Sequence, residues 1–357
     1  MKSTGTILHS QMKQHRVDAF LVTRMENVRY LSGFTGSTAV LLVTRRGGVV
    51  LTDSRYAVQS EKEVDGFSVQ ILRRGEEMVE GIARLIRTRR YRRVGFESGD
   101  LRVDAFHALK KSLRFCSWVP IRPGVEALRM IKTVQELDAL QTAVRRAEQA
   151  FKRVKKMIRP GSGENEIALA LEHAMRKQGA AKVAFDTIVA SGVRSAMPHG
   201  IASFRKIAAG DLVIVDFGAE CNGYFSDMTR TFYVGRRLTG KKREIFDVVR
   251  AAQQSAIDII RPGISFREID QAARNRIAKA GYGPFFGHGT GHGIGLEVHE
   301  LPGVTPKNEQ IVQEGMVFTI EPGIYLPGLG GVRIEDMVLA TGDGCRLLTG
   351  LPRGWEI

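Results

Sequence analysis

The strongest constraint on this chain is a repeat inside its second half. Ile158-Arg159-Pro160-Gly161 recurs 102 positions later as Ile260-Arg261-Pro262-Gly263. At the same offset Glu166-Ile167 matches Glu268-Ile269, and Gly179 matches Gly281. Each copy reads as a loop, an amphipathic helix and a glycine stop leading toward a strand. Seven matches at one offset predict two similar halves related by a pseudo-twofold, with a site where the halves meet.

The segments that follow the copies carry four carboxylates and an imidazole: Asp216, Asp227, His292, Glu321 and Glu335. Each lies on an apolar strand-like segment or a glycine-rich turn, where a charged side chain is costly unless something cationic compensates it. Asp216 ends the apolar run of Leu212–Phe217, and Asn222-Gly223 is a strong hairpin signal. With those two residues as the turn, Asp216 faces Thr229 and Asp227 is its diagonal neighbour. With the turn one residue earlier, Asp216 faces Asp227 directly. Both registers put the two carboxylates on one face, roughly 5 to 8 Å apart.

Between Phe286 and Glu300 the glycines alternate with His288, His292 and His299. No Lys-Ser/Thr follows, which argues against a phosphate cradle, and the histidines fit metal binding and proton transfer better. Glu321 ends the Val317–Ile320 run before Pro322, and Glu335 shares one face of a Val332–Leu339 strand with Arg333. Oxygen-rich ligation with one imidazole suits Mn²⁺, Fe²⁺, Co²⁺ or Zn²⁺. Five such ligands are enough for two ions about 3.5–4 Å apart. The residues alone therefore predict a two-metal hydrolase.

The chain has 357 residues, enough for two domains. Residues 1–122 read as an α/β unit with strands near Ala19–Val22, Ala39–Val43, Val49–Thr52, Val69–Leu72 and Arg93–Phe96, and with helices Glu77–Arg90 and Val103–Leu113. Val119–Gly124 breaks regular structure and sets the boundary of a second domain, 123–357. Thr133 and Glu136 then form a capping box for a helix with Leu137, Leu140, Val144, Ala147 and Phe151 on its apolar face.

The net charge of +15 raises a nucleic-acid partner, but its densest source, Arg84 to Arg93, ends a helix and reads as a solvated face. No apolar run is long enough for a bilayer, and the N-terminal segment lacks the pattern of a signal peptide. Cys116, Cys221 and Cys345 are isolated, which predicts reduced thiols in a cytoplasmic protein.

These motifs resemble the creatinase/methionine-aminopeptidase-like "pita-bread" metallopeptidases, and most of all their Xaa-Pro aminopeptidase and Xaa-Pro dipeptidase (prolidase) branch. Asn27–Phe34 and Thr52–Tyr56 look like the creatinase-type N-terminal domain. Val215–Thr231, His288–Glu300, Thr319–Tyr325 and Val332–Asp336 look like the α+β catalytic domain. The resemblance implies that Asp216 binds one ion, that His292 and Glu321 bind the other, and that Asp227 and Glu335 bridge them. Glu321 would also shuttle the proton of the bridging hydroxide. His199 would lie near the substrate amine and His299 would stabilise the tetrahedral intermediate. His288 and Arg333 would favour proline after the cleaved bond. Mn²⁺ is the first expectation for the pair, with Co²⁺, Zn²⁺ or Fe²⁺ as the others. A proline-containing peptide as substrate and a homodimer are also implied. The rivals are a methionine aminopeptidase and a non-catalytic pita-bread module holding nucleic acid or histones on its basic surface.

Overall fold

The computed structural model describes residues 4–357. The first three positions, part of the N-terminal segment considered above, lie outside the described residues. The chain divides into two compact units, Met1–Arg129 and Met130–Ile357.

The first unit is an α/β layer built on a six-stranded mixed sheet in the order Ser68–Ile71, Gly47–Thr52, Ala39–Thr44, Ala19–Val22, Arg93–Glu97, Ser117–Ile121. Ala19–Val22 pairs antiparallel with Ala39–Thr44 and parallel with Arg93–Glu97. Its strands are continuous apolar runs because both faces are covered: Leu21, Leu42 and Leu51 pack in one cluster, Phe20, Leu41 and Val50 in another. The last strand corrects the reading of Val119–Gly124 as an outright break. Pro120 sits in it, and it is tolerated because this strand is the sheet edge, where the missing N–H removes no ladder bond. A short helix, Glu126–Arg129, completes the unit.

In the second unit the repeat is borne out to the residue. The helices Glu164–Lys177 and Phe266–Lys279 have the same length and are displaced by the offset of the sequence match. Each opens with an acid reaching back: Glu166 accepts from the Gly163 amide at 2.8 Å, and Glu268 from the Ser265 amide at 2.7 Å. Gly161 and Gly263 precede these helices at φ of 88° and 97°, in the left-handed region that glycine enters without a Cβ clash. Their amides bond to equivalent carbonyls, Ile207 and Val312.

Each half lays a pair of helices against a sheet. The first half has Val134–Val154 and Glu164–Lys177 with the strands Ile188–Ser191, Leu212–Phe217 and Met228–Tyr233. The second has Gly240–Asp258 and Phe266–Lys279 with a five-stranded sheet centred on Val317–Ile320. The Thr133 box caps the first of these helices as expected, with the Thr133 amide 2.8 Å from Glu136 Oε2. Phe151, on its buried face, stacks on Phe217 and Phe232 at centroid distances of 5.0 and 5.5 Å. Burying one such ring stabilises the helix–sheet contact by about 1.5–3 kcal/mol, and the sheet it rests on carries Asp216. Among the described residues, no helix is long and apolar enough to cross a membrane.

Candidate metal centre

The hairpin after Leu212–Phe217 settles the register. Asp216 pairs with Thr229 and Cys221 with Tyr224, so Asn222 and Gly223 form the turn, both at positive φ (54° and 85°). The alternative with Asp216 facing Asp227 is excluded. Asp227 lies diagonally across, beside Gly218, whose backbone is so close to the opposite strand that a Cβ would sit 1.9 Å from the Ser226 carbonyl oxygen. That glycine is required by the crossing of the two acid-bearing strands.

Glu321 lies just past the strand Val317–Ile320, as expected. Glu335 departs from expectation. The single strand expected over Val332–Leu339 is two strands in different sheets, Gly330–Arg333 and Asp336–Ala340, with Ile334-Glu335 as the step between them. The step rests on the neighbouring strand: Glu335 N–H donates to the Thr229 carbonyl at 3.1 Å. Arg333 and Glu335 still meet the same group, because Arg333 Nε–H donates to Thr229 Oγ1 at 3.1 Å and that hydroxyl donates to Glu335 Oε2 at 2.7 Å.

Asp216, Asp227 and Glu335 are buried, and each has one carboxylate oxygen with no hydrogen-bond partner: Asp216 Oδ1, Asp227 Oδ1 and Glu335 Oε1. Burial pushes Asp227 and Glu335 well above the usual carboxylate range. Mutual repulsion adds to this, from Glu335, Asp216 and Glu321 at Asp227 and from Glu321 and Asp216 at Glu335. Burial also raises Glu321, against the pull of His288 and Arg333. Packing several buried acids together is unfavourable unless positive charge enters.

The imidazole shows where that charge belongs. His292 Nδ1 is 3.1 Å from the Gly293 carbonyl oxygen, so Nδ1 carries the proton. Its Nε2 lone pair then points at Glu321 Oε1, 3.4 Å away, and Asp227 Oδ2, 3.6 Å away. Burial holds His292 below the usual histidine range. A neutral ring aiming a lone pair at carboxylates leaves a gap suited to a cation. Asp227, His292 and Glu335 each offer one ligand atom within 4.8 Å of the others. The donor set thus fits divalent metal.

Around this centre, His288 Nε2 lies 2.9 Å from Tyr325 Oη. The His299 ring lies against His292 with centroids 4.3 Å apart. Arg333 is buried, with Nη2 2.6 Å from Asp216 Oδ2 and Nη1 3.0 Å from both Tyr325 Oη and the Pro198 carbonyl. That last bond ties the turn bearing His199, itself exposed, to the centre. Sequence reasoning passed over Thr229 and Tyr325. Thr229 was detectable as the residue opposite Asp216 in one of the two registers; Tyr325 had no such signal.

Residues 138–342 match the model of metallopeptidase family M24, and residues 7–131 match the creatinase/prolidase N-terminal domain. The chain belongs to family M24. Among similar proteins, the Xaa-Pro dipeptidase of Pyrococcus horikoshii is 39% identical over 95% of this chain and 94% of its own. The solved structure of an Xaa-Pro dipeptidase from Bacillus anthracis is 39% identical, with a TM-score of 0.94 over 99% of this chain and 98% of that one. An X-Pro aminopeptidase from Thermotoga maritima is 38% identical, with a TM-score of 0.89 over 99% of both chains. The pita-bread catalytic fold and creatinase-type N-terminal domain expected from sequence are therefore this protein's architecture. As an M24 member it is a metallopeptidase that uses divalent metal ions, in keeping with the orphaned oxygens described above.

Proposed function

We propose that this M24 enzyme holds two divalent ions, Mn²⁺ in the first instance, and cleaves the bond between an N-terminal residue and a following proline. The observation that carries the proposal is a pair of facts about the same acids: Asp216, Asp227 and Glu335 each bury a carboxylate oxygen without a hydrogen-bond partner, and Asp227, His292 and Glu335 each offer a ligand atom within 4.8 Å of the others. Its similarity to Xaa-Pro dipeptidases and an X-Pro aminopeptidase supports the choice of substrate. In this reading Asp216, Asp227, His292, Glu321 and Glu335 would hold the ions. When bound, the ions acidify water and polarise the scissile carbonyl.

The side chains supply the remaining steps. Glu321, whose proton affinity burial raises, takes a proton from the attacking water and passes it to the proline nitrogen as the bond breaks. His299 donates to the oxygen that gains charge. His199 lines the amine end of the substrate. His288 and Arg333, braced through Tyr325, form the wall against which the proline ring packs. Burial keeps bulk water from screening these contacts. The same reading expects a cytoplasmic homodimer, which sedimentation would check.

The test is hydrolysis of Ala-Pro, Ala-Pro-Ala and Met-Ala peptides by metal-stripped protein with Mn²⁺, Co²⁺ or Zn²⁺ restored. Metal-dependent cleavage before proline is expected. Cleavage of Met-Ala alone would reassign the enzyme to the methionine aminopeptidase branch, and no cleavage with any ion would overturn the proposal.

A further inference from the structure

The segment that carries His288, His292 and His299 contains Gly287, Gly289, Gly291, Gly293 and Gly295. Such a stretch has much backbone freedom to lose on folding, yet it must hold three rings in place. Its two ends are fastened by different devices. At the first end, Asp270 accepts from the Thr290 amide and hydroxyl at 3.1 and 2.9 Å. Arg274, paired with Asp270, donates to the carbonyls of Phe286 and His288. Both belong to the adjacent helix Phe266–Lys279, so this fastening is local.

At the other end the fastening comes from far away in the chain. Lys132 Nζ is 2.7 Å from Glu300 Oε1, and the side chains of both are almost fully buried, at 1% and 3% exposure. Glu300 follows His299 and pairs with Gly293 across the ladder, closing the loop that holds His299. Gly295 packs so closely on this carboxylate that a Cβ would sit 2.5 Å from Glu300 Oε1. Lys132 is held through its backbone, with its amide 2.9 Å from the Gly315 carbonyl oxygen and Ile131 bridged to Met316. Met316 leads directly into the strand Val317–Ile320, which Glu321 follows.

We infer that Lys132 is a positioning residue: a buried cation that, through Glu300, fixes the His299 loop relative to the strand that leads into Glu321. The role given to His299 rests on the peptidase reading; the anchor does not. Lys132 touches neither the candidate ligands nor the substrate in that reading, so its loss acts on geometry. A lysine reaches this buried carboxylate with one compact charge on a flexible stem, whereas arginine would need room for a planar fork.

Three variants carry the test: Lys132→Met, Lys132→Arg and the double variant K132M/E300Q. Lys132→Met is expected to lower kcat on Ala-Pro about 10- to 100-fold while leaving the Mn²⁺ dissociation constant within about threefold. Lys132→Arg recovers part of that loss. The double variant also removes the buried Glu300 charge, so it regains thermal stability without regaining kcat. Hydrogen exchange, read without any turnover, is expected to rise over residues 294–300 in Lys132→Met and to stay unchanged over 212–217. Wild-type kcat in Lys132→Met, recovery of kcat together with stability in the double variant, or unchanged exchange over 294–300 would each overturn the inference. If the wild-type protein cleaves no proline peptide, the functional reading fails and hydrogen exchange alone decides the anchor.

Discussion

The Thr229 hydroxyl donates to Glu335 Oε2 at 2.7 Å, inside the protein and directly across the ladder from Asp216. The bond leaves Glu335 Oε1 as the oxygen without a partner, so a neutral hydroxyl selects which atom a metal would take. Thr229→Val keeps the shape and removes the bond, and it also strips Arg333 Nε of its acceptor. Metal affinity is expected to fall about 10- to 100-fold, with about 1–3 kcal/mol of stability lost. Calorimetric titration and urea unfolding check the two effects separately.

The metal-free protein is expected to gain stability on acidification. Asp227 and Glu335 have folded-state proton affinities raised above those of the unfolded chain. The folded state therefore binds more protons, and stability declines as pH rises above the ordinary carboxylate value of about 4.5 toward the raised folded values. Saturating Mn²⁺ is expected to abolish or invert that slope, because metal then neutralises the same oxygens. Melting temperatures from pH 5 to 8, with chelator and with metal, provide the comparison. A flat apo profile would contradict the repulsion argument.

Glu335 offers a sharper version of the same point. Glu335→Gln removes one buried repelling charge while retaining the oxygen that accepts from Thr229. Its apo form is expected to melt several degrees above wild type, roughly the shift that ~1–2 kcal/mol gives in a unit of this size. Metal should no longer raise its melting temperature fully. Glu335→Ala is expected to abolish activity with most of the fold intact, as circular dichroism and a peptide assay would show.

A separate pH response belongs to the N-terminal unit. Burial pushes Glu97 up to about 7, although the amides of Thr23 and Arg24 and the Asn27 side chain donate to it at 2.6–2.8 Å. The folded value exceeds the unfolded one, so this stabilising contribution is complete below about pH 4.5 and is lost as pH rises through 7. The full swing is about 3 kcal/mol. Glu97→Gln should flatten that part of the stability profile between pH 5 and 8 without altering metal affinity.

How far the residues disclosed the structure depended on whether the controlling interaction was local. The offset repeat predicted a pair of matching helices, which the structure displaces by the same 102 positions, because capping and glycine stops act within a turn of the chain. The Asn222-Gly223 turn set a register that hydrophobic patterning alone left open. Local patterning could not show that the chain changes sheets at Ile334-Glu335, since strands in two different sheets look alike when read as one apolar run. Nor could it find Lys132 or Tyr325. Their partners are supplied by distant segments, and a lysine near a helix start gives no hint of burial. Pro120 misled for a related reason, because a proline excludes a central strand but not an edge.

The pseudo-twofold has a mechanical consequence. Asp216 and Asp227 are rooted in the first half, whereas His292, Glu321 and Glu335 are rooted in the second. Ions held by both sets would act as rivets across a seam between two separately built layers. Separating the halves and releasing the ions would then be a single event, so a reagent of the reaction would also serve as a fastener of the fold.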